Sequence, residues 1–202
     1  MSPAQAMERS YQALKQMLRR GDYPPGTRLE ANRLSAELGV SMTPVRDALH
    51  RLVGERMIDG GSGDGFHVPR YSEVQLRELY EWNSALTVIA VRTSTAADQR
   101  LPAIVEEDQS QAGLTALLFE QIAAGSPNLE VRAAIASASD RLHPFRIVEQ
   151  AALEPILGEL EELGLTGSGQ LQAIRRYHQR RIKAVSQILR TQAGGQSNIT
   201  RL

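Results

Sequence analysis

The sequence has no cysteine in 202 residues, which excludes a disulfide framework and a thiolate metal site. It also lacks any apolar run approaching about eighteen residues, so no segment reads as a membrane span. The N-terminal stretch carries Glu8, Arg9, Lys15, Arg19 and Arg20 among short apolar spacings and has no signal-peptide layout. A cytoplasmic protein with no membrane partner is the expectation. Net charge is absent as well: 23 basic and 23 acidic side chains cancel, so bulk charge proposes no partner. There is no HExxH, no glycine-rich phosphate loop and no nucleophile elbow, and the four histidines at 50, 67, 143 and 178 are scattered. The run Glu106-Glu107-Asp108 reads as a solvated helix face. A metal-dependent or acid–base enzyme is therefore the disfavoured class, and a protein without catalytic activity is expected.

What is present divides into two parts, expected at 1–70 and 71–202, each long enough to bury a core. Ten basic against eight acidic residues give the first part a charge of +2 and leave −2 on the second. Tyr11, Leu14 and Leu18 fall on one stripe of a helix predicted over about 5–20, ended by Arg19, Arg20, Gly21 and the Pro24-Pro25-Gly26 turn. Thr27 to Leu29 leads into a second helix over about 31–38. Leu34 and Leu38 share a face, Gly39 supplies positive φ, and Pro44 suits the start of a third helix capped by Ser41 or Thr43. Val45, Leu49 and Leu52 give that helix its apolar side, so the spacing predicts a three-helix core containing a helix-turn-helix. Met57 and Ile58, the glycine-rich residues 59–65, and Phe66-His67-Val68 predict a hairpin, a small β wing beside the helices.

A helix fits the major groove of B-form DNA, with its N-terminal side chains reaching base edges and its N–H groups facing phosphate. Arg46 is the first choice for direct readout, because its fork matches a guanine edge. Thr43 suits a phosphate or a thymine methyl. Ser41, Arg51 and Arg28 suit backbone phosphates, which position a protein without selecting sequence. His67, with Arg70, could meet the neighbouring minor groove or phosphates, which would repel Asp59 and Asp64 on the wing. The alternative for Arg46 is an intramolecular carboxylate, Asp47 or Glu37.

Tyr11, Leu14, Gly21-Asp-Tyr-Pro-Pro-Gly26, Leu29, Leu34, Leu38-Gly-Val-Ser41, Thr43-Pro-Val-Arg46, Ala48-Leu49, Arg51-Leu52, Met57-Ile58 and Gly65-Phe66-x-Val68 closely resemble the winged-helix domain of GntR-type transcriptional regulators. The resemblance spans residues 10–69 and implies a sequence-specific regulator that binds double-stranded operator DNA. The family's turn reads Ser-Arg-Thr-Pro-Val-Arg. Here Met42 replaces its first arginine within the DNA-contacting set, which alters one contact and with it the operator. The family's glycine after the glutamate that ends the third helix is absent too: Glu55 is followed by Arg56.

From Ser72 onward the periodicity is helical. Helices are predicted over about 73–94, with Leu76, Leu79, Leu86, Ile89 and Ala90, and over about 99–110, with Leu101, Ile104 and Val105 inward. Leu114, Leu117, Leu118, Ile122 and Ala123 make the next, ended by Gly125-Ser-Pro127. An alanine-rich helix is expected from Leu129 to Arg141, a new segment from His143-Pro144 to Leu163, a loop over Gly164 to Gly169, and a last long helix from Leu171 to Leu189. Beyond Gly194 and Gly195 the tail is either helical or frayed. The expected fold class is mostly α, an N-terminal winged helix-turn-helix with a small β wing and a C-terminal all-helical bundle.

That bundle resembles the FCD-type ligand-sensing domain of the same regulators. Many such domains hold a metal through an Asp and three His, the first pair coming from an Asp-x-x-Phe-His pattern. Here the comparable stretch is Ala116-Leu117-Leu118-Phe119-Glu120, followed by Asn128; His178 falls near the family's next histidine and Asn198 at the place of the last. One imidazole of three, with Glu120, is too few donors for zinc or a similar ion unless Asn198 or His143 joins them. These departures from the family's pattern favour no cofactor and a metal-free cavity for a small organic effector. Arg146, His143, Arg175 and His178 suit an acidic molecule. Glu120, inside an otherwise apolar helix, needs a cationic partner unless it faces solvent.

A single reading head touches few phosphates, so a homodimer on an inverted repeat is expected. An effector in the bundle would favour one placement of the two heads through the segment Pro69 to Glu73, and release of a repressed promoter is the family's commoner behaviour. The rival is an accessory DNA-binding protein whose helical domain only dimerises, which an internal polar cavity would distinguish from a sensor.

Overall fold

The computed structural model describes residues 2–61, 65–94, 110–154 and 158–196. The chain forms two compact units, Met1–Tyr71 and Ser72–Leu202. The first contains α1 (Pro3–Arg20), β1 (Arg28–Leu29), α2 (Ala31–Leu38), α3 (Met42–Gly54), β2 (Asp59–Gly61) and β3 (Gly65–His67). Ser2 and Gln5 cap the start of α1 reciprocally, and Gly21 closes it in the left-handed conformation. Gly39, with φ of 65°, turns the chain between α2 and α3. Pro44 occupies the first turn of α3, where a backbone N–H has no intrahelical partner to lose.

The inner faces of these helices make one core. Tyr11, Leu14 and Leu18 of α1 pack with Leu34 of α2 and with Val45, Ala48, Leu49 and Leu52 of α3, joined by Leu29, Met57 and Ile58. The three strands pair antiparallel in the order β1-β3-β2. The Thr27–Leu29 segment, expected only as a lead-in to α2, thus supplies an edge strand of the wing. One sheet face, Leu29 and Phe66, turns to the core, and Gly60 is pressed so close to α3 that a Cβ there would stand 2.6 Å from Val53 Cγ2. Residues 62–64 of the wing tip, Asp64 among them, lie outside the described residues.

The end of α3 holds the first unit's one non-glycine residue at positive φ among the described residues. Arg56 sits at φ 59°, its N–H bonded to the Val53 carbonyl while the Met57 N–H bonds that of Leu52. This is the paired closure that normally takes glycine. Arginine carries the Cβ strain of that conformation, and the turn survives because Met57 and Ile58 beyond it are anchored in the core.

The second unit contains α4 (Glu73–Thr93), α5 (Gln111–Ala124), α6 (Leu129–Ala152), α7 (Glu159–Leu163), α8 (Gly167–Lys183) and α9 (Val185–Gln196). Ser72, Ser110 and Asn128 cap α4, α5 and α6. The helix expected over 99–110 falls almost wholly outside the described residues, as do Ile156, Leu157 and Asn198. Three boundaries differ from expectation. Helix α6 runs unbroken through Pro144, although proline offers no N–H to the turn before it; Leu142, His143, Phe145 and Arg146 around it are all buried, and that packing carries the helix across. The helix expected from Leu171 to Leu189 is instead two, parted at Ala184, and α8 begins within the expected loop at Gly167. The apolar core joins Leu86 and Ala90 of α4, Phe119 and Ile122 of α5, Ile135 of α6, Leu163 of α7, and Ile174 and Tyr177 of α8. Ile89, one of the apolar residues that mark the helix expected over 73–94, is exposed, as are Leu129 and Ile147.

Replacing Arg56 by glycine should raise the unfolding free energy by about 0.5–1 kcal/mol, since relief of the left-handed strain exceeds glycine's added unfolded-state entropy. Urea denaturation at equal slope checks this.

Candidate functional site

In α3 the buried and exposed sets separate cleanly. Pro44, Val45, Ala48, Leu49 and Leu52 face inward, whereas Ser41, Met42, Thr43, Arg46, Asp47 and His50 are exposed. Ser41 stands at the cap position, but its hydroxyl accepts no N–H from the helix, so the first turn has no side-chain cap. That helix end presents backbone N–H groups to which an anion could bind. Arg46 has no hydrogen bond or ion pair among the described residues, and Glu37, one carboxylate considered for it, instead accepts from the Tyr23 hydroxyl at 3.4 Å.

Arg51 is placed differently. Its guanidinium lies 3.6 Å from the centre of the Tyr11 ring, donates from Nη1 to Glu8 Oε2 at 2.9 Å, and reaches Glu55 Oε1 from Nε at 3.3 Å. The Tyr11 hydroxyl donates to the Glu55 carboxylate at 2.9 Å. Arg51 thus ties α3 to α1. On the wing, Arg28, His67 and Asp59 are register partners in one row across the sheet, on the face away from Leu29 and Phe66. The Arg28 guanidinium runs alongside Gly65, and the Phe66 ring meets His50 edge-on at 5.0 Å, which fixes the wing against α3. The arrangement offers a helix with an open leading end and a basic side chain on the strand beside it, dimensions that suit a DNA groove and its phosphates.

The interior of the second unit buries three of the six side chains expected to meet an effector. His143, Arg146 and His178 are buried. Glu120 and Arg175 face solvent, so the carboxylate of Glu120 needs no internal partner; Phe119 is the residue that enters the core. Arg146, 2% exposed, donates from Nη1 to Ser139 Oγ at 2.8 Å and stands 4.9 Å from the Phe119 ring centre. Its Nε and Nη2 are buried without a hydrogen-bond acceptor among the described residues, as are the Tyr177 hydroxyl and the Asn83 nitrogen. The rings of Phe119, Tyr177 and His178 pack edge to face at 5.1 to 5.5 Å.

His178 is neutral there: burial, with Arg146 and Arg181 nearby, pushes its pKa down to about 3 against the effect of the Ile174 carbonyl. Nδ1–H donates to Ile174 O at 2.7 Å, which makes Nε2 an acceptor. Asn83 Oδ1 lies 3.0 Å from Nε2; exchanging the two ends of that amide turns the contact into an N–H donated to Nε2 and gives the otherwise unpartnered Asn83 nitrogen its acceptor.

Sequence reading passed over the residues that organise this interior. Arg181 donates through both terminal nitrogens to Glu159 at 2.8 and 2.9 Å and through Nε to Glu149 at 2.9 Å, with its guanidinium 3.4 Å from the Tyr177 ring centre. The Tyr80 hydroxyl donates to the other Glu149 oxygen at 2.7 Å. Burial and the facing Glu149 carboxylate push the Tyr80 phenol well above its ordinary pKa, so it stays a donor. Among the described residues no three His, Cys, Asp or Glu side chains converge as a metal site, and no helix is long and apolar enough to cross a membrane.

Residues 6–68 match the family model of bacterial regulatory proteins, gntR family. The Nta operon transcriptional regulator of Aminobacter aminovorans is 31% identical over 140 residues, 63% of this chain and 67% of that protein. The chain belongs to the gntR family. The HTH-type transcriptional regulator McbR of Escherichia coli is 37% identical over 89 residues, and that match spans 42% of this chain but only 40% of McbR. Among solved structures, GntR from Rhodococcus sp. RHA1 shares the fold with a TM-score of 0.63 at 19% identity, covering 91% of this chain and 97% of that one. E. coli McbR/YncC does so with a TM-score of 0.53 at 24% identity, covering 96% and 95%.

His178 makes the stability of this gntR-family protein pH-dependent with a definite sign. Between its ordinary pKa of 6.5 and the folded value of about 3, the unfolded chain holds a proton that the native state excludes. Stability is therefore lost as pH falls through this window, by about 2 kcal/mol from His178 alone between pH 6.5 and 5. Denaturation of wild type and His178→Asn at several pH values should show the slope reduced by that amount in the variant.

Proposed function

We propose that this protein is a sequence-specific DNA-binding transcriptional regulator of the cytoplasm, a homodimer acting as a repressor whose operator affinity responds to a small anionic effector. The observation that carries the reading is the outward stripe of α3, where Thr43 and Arg46 stand exposed, Arg46 has no internal partner among the described residues, and the opposite face is locked in the core. In this reading Arg46 reads a guanine edge, Ser41 and Thr43 serve the leading end of the helix, and Arg28 and His67 meet phosphates from the wing. Arg51 serves instead by holding α3 on α1. For the second copy, α4 offers an exposed stripe of Val74, Trp82 and Ile89, 56%, 52% and 45% exposed. They recur at helical spacing with Ala85 between them.

The helical unit is read as an FCD-like sensing domain that has lost its metal motif. Arg146 supports an anionic effector, because a buried guanidinium with two unsatisfied nitrogens is the group that a carboxylate satisfies best. This favours a sensor over an accessory protein whose bundle only dimerises.

Selection of duplexes from a random pool tests the first part. Arg46→Ala should relax preference at defined base positions, by about 1–3 kcal/mol of lost discrimination, whereas Arg28→Ala should weaken all sequences alike and lower the salt dependence by about one phosphate. No effect of either change would refute the assignment. For the second part, a panel of small mono- and dicarboxylic acids should release bound DNA from wild type, and Arg146→Gln should bind DNA equally well but lose the response.

A further inference from the structure

Met42 opens α3 and is 43% exposed. It is an apolar residue at the end of the helix where the proposed function places base contacts, and the core behind it is filled by Pro44, Val45 and Ala48. A thioether has no N–H or O–H to donate and accepts only weakly. It therefore matches none of the donor and acceptor pairs that mark guanine, adenine or cytosine in the major groove. The remaining distinguishing feature of that groove is apolar, the C5-methyl group of thymine. Methionine suits such a contact, since its unbranched, polarisable side chain adapts to a small methyl surface.

Position relative to Arg46 narrows the contact. Residues four apart on a helix share a face, so Met42 and Arg46 lie on one stripe of α3, separated by about 6 Å along its axis. Successive bases of a strand lie about 3.4 Å apart, so two such side chains address positions about two steps from one another. His50, the next member of the stripe, is held against Phe66 of the wing.

We infer that Met42 is a specificity-determining residue that packs against a thymine methyl group within about two base pairs of the guanine addressed by Arg46. This rests on the DNA-reading function proposed above. Thr43 is the other exposed methyl-bearing side chain at this end, and the test must separate the two.

The full chain is used to select duplexes from a random pool, and each thymine of the enriched half-site is then replaced singly by deoxyuridine, which removes only the methyl group. One replacement near the Arg46-dependent base should weaken wild-type binding about fourfold, the scale of one buried methyl. The same replacement should leave Met42→Ala unchanged and still weaken Thr43→Ser. Met42→Arg should shift the preference at that position from thymine to guanine. Enrichment of a defined sequence with no methyl effect, or a methyl effect that persists in Met42→Ala or vanishes in Thr43→Ser, overturns the assignment to Met42 while leaving DNA recognition standing. Failure to enrich any sequence overturns the DNA-reading function, and the assignment with it.

Discussion

Everything proposed for α3 depends on its inability to rotate. Each residue of a helix turns the face by about 100°, so a one-residue rotation would carry Val45, Leu49 and Leu52 out of the core and draw Arg46 toward it. Each of those side chains contributes about 1.5–3 kcal/mol by burial, far more than exposed ion pairs of about 0–1 kcal/mol. Apolar packing therefore sets the phase of the helix. The polar brace of Tyr11, Arg51, Glu8 and Glu55 then fastens α3 to α1, and the wing holds its outer edge through Phe66 and His50. A rigid inner face is what allows the opposite stripe to be read as an ordered set.

The second unit shows two buried arginines with opposite surroundings. Burial opposes the charge of Arg181, but Tyr177, Glu149 and Glu159 together hold its pKa above the ordinary guanidinium value. Every nitrogen of that side chain has an acceptor, and the network fastens α4, α6, α7 and α8. Arg146 lies against Phe119 with a single hydroxyl as its good partner. Desolvating an ion costs several kcal/mol unless partners compensate it, so the two arginines are not equivalent. One is satisfied by the fold itself, while the other retains capacity for an anion.

The first unit was legible because its signals are local. Stripes at Tyr11, Leu14 and Leu18 and at Val45, Leu49 and Leu52, punctuated by Gly21, Gly39 and the glycines of the wing, specify helices and turns without long-range information. The bundle was less legible for two reasons. Pro144 is a strong local breaker, yet burial on both sides of it overrides that preference; Ala184 carries no breaker, yet a helix ends there. Apolar periodicity also hides buried charge. Arg146 and Glu149 are in phase with Ile135, Leu142 and Phe145, and Arg181 with Ile174, Tyr177, Val185 and Ile188. A charged residue in phase with a buried stripe was the available signal, and it points to Glu149 and Arg181 more firmly than to Glu120 or Arg175.

The amino-acid sequence by itself determined the three helices of the first unit, the inner and outer faces of α3 and the gntR-family kinship, because each follows from the spacing of neighbours along the chain. Only the tertiary structure decided that Arg51 braces α1, that Glu120 faces solvent, and that Arg146, His178 and Asn83 share an interior with the Arg181 network. The reason is distance along the chain. Asn83 and His178 are 95 residues apart, and no local pattern encodes which of many polar side chains will meet when helices pack.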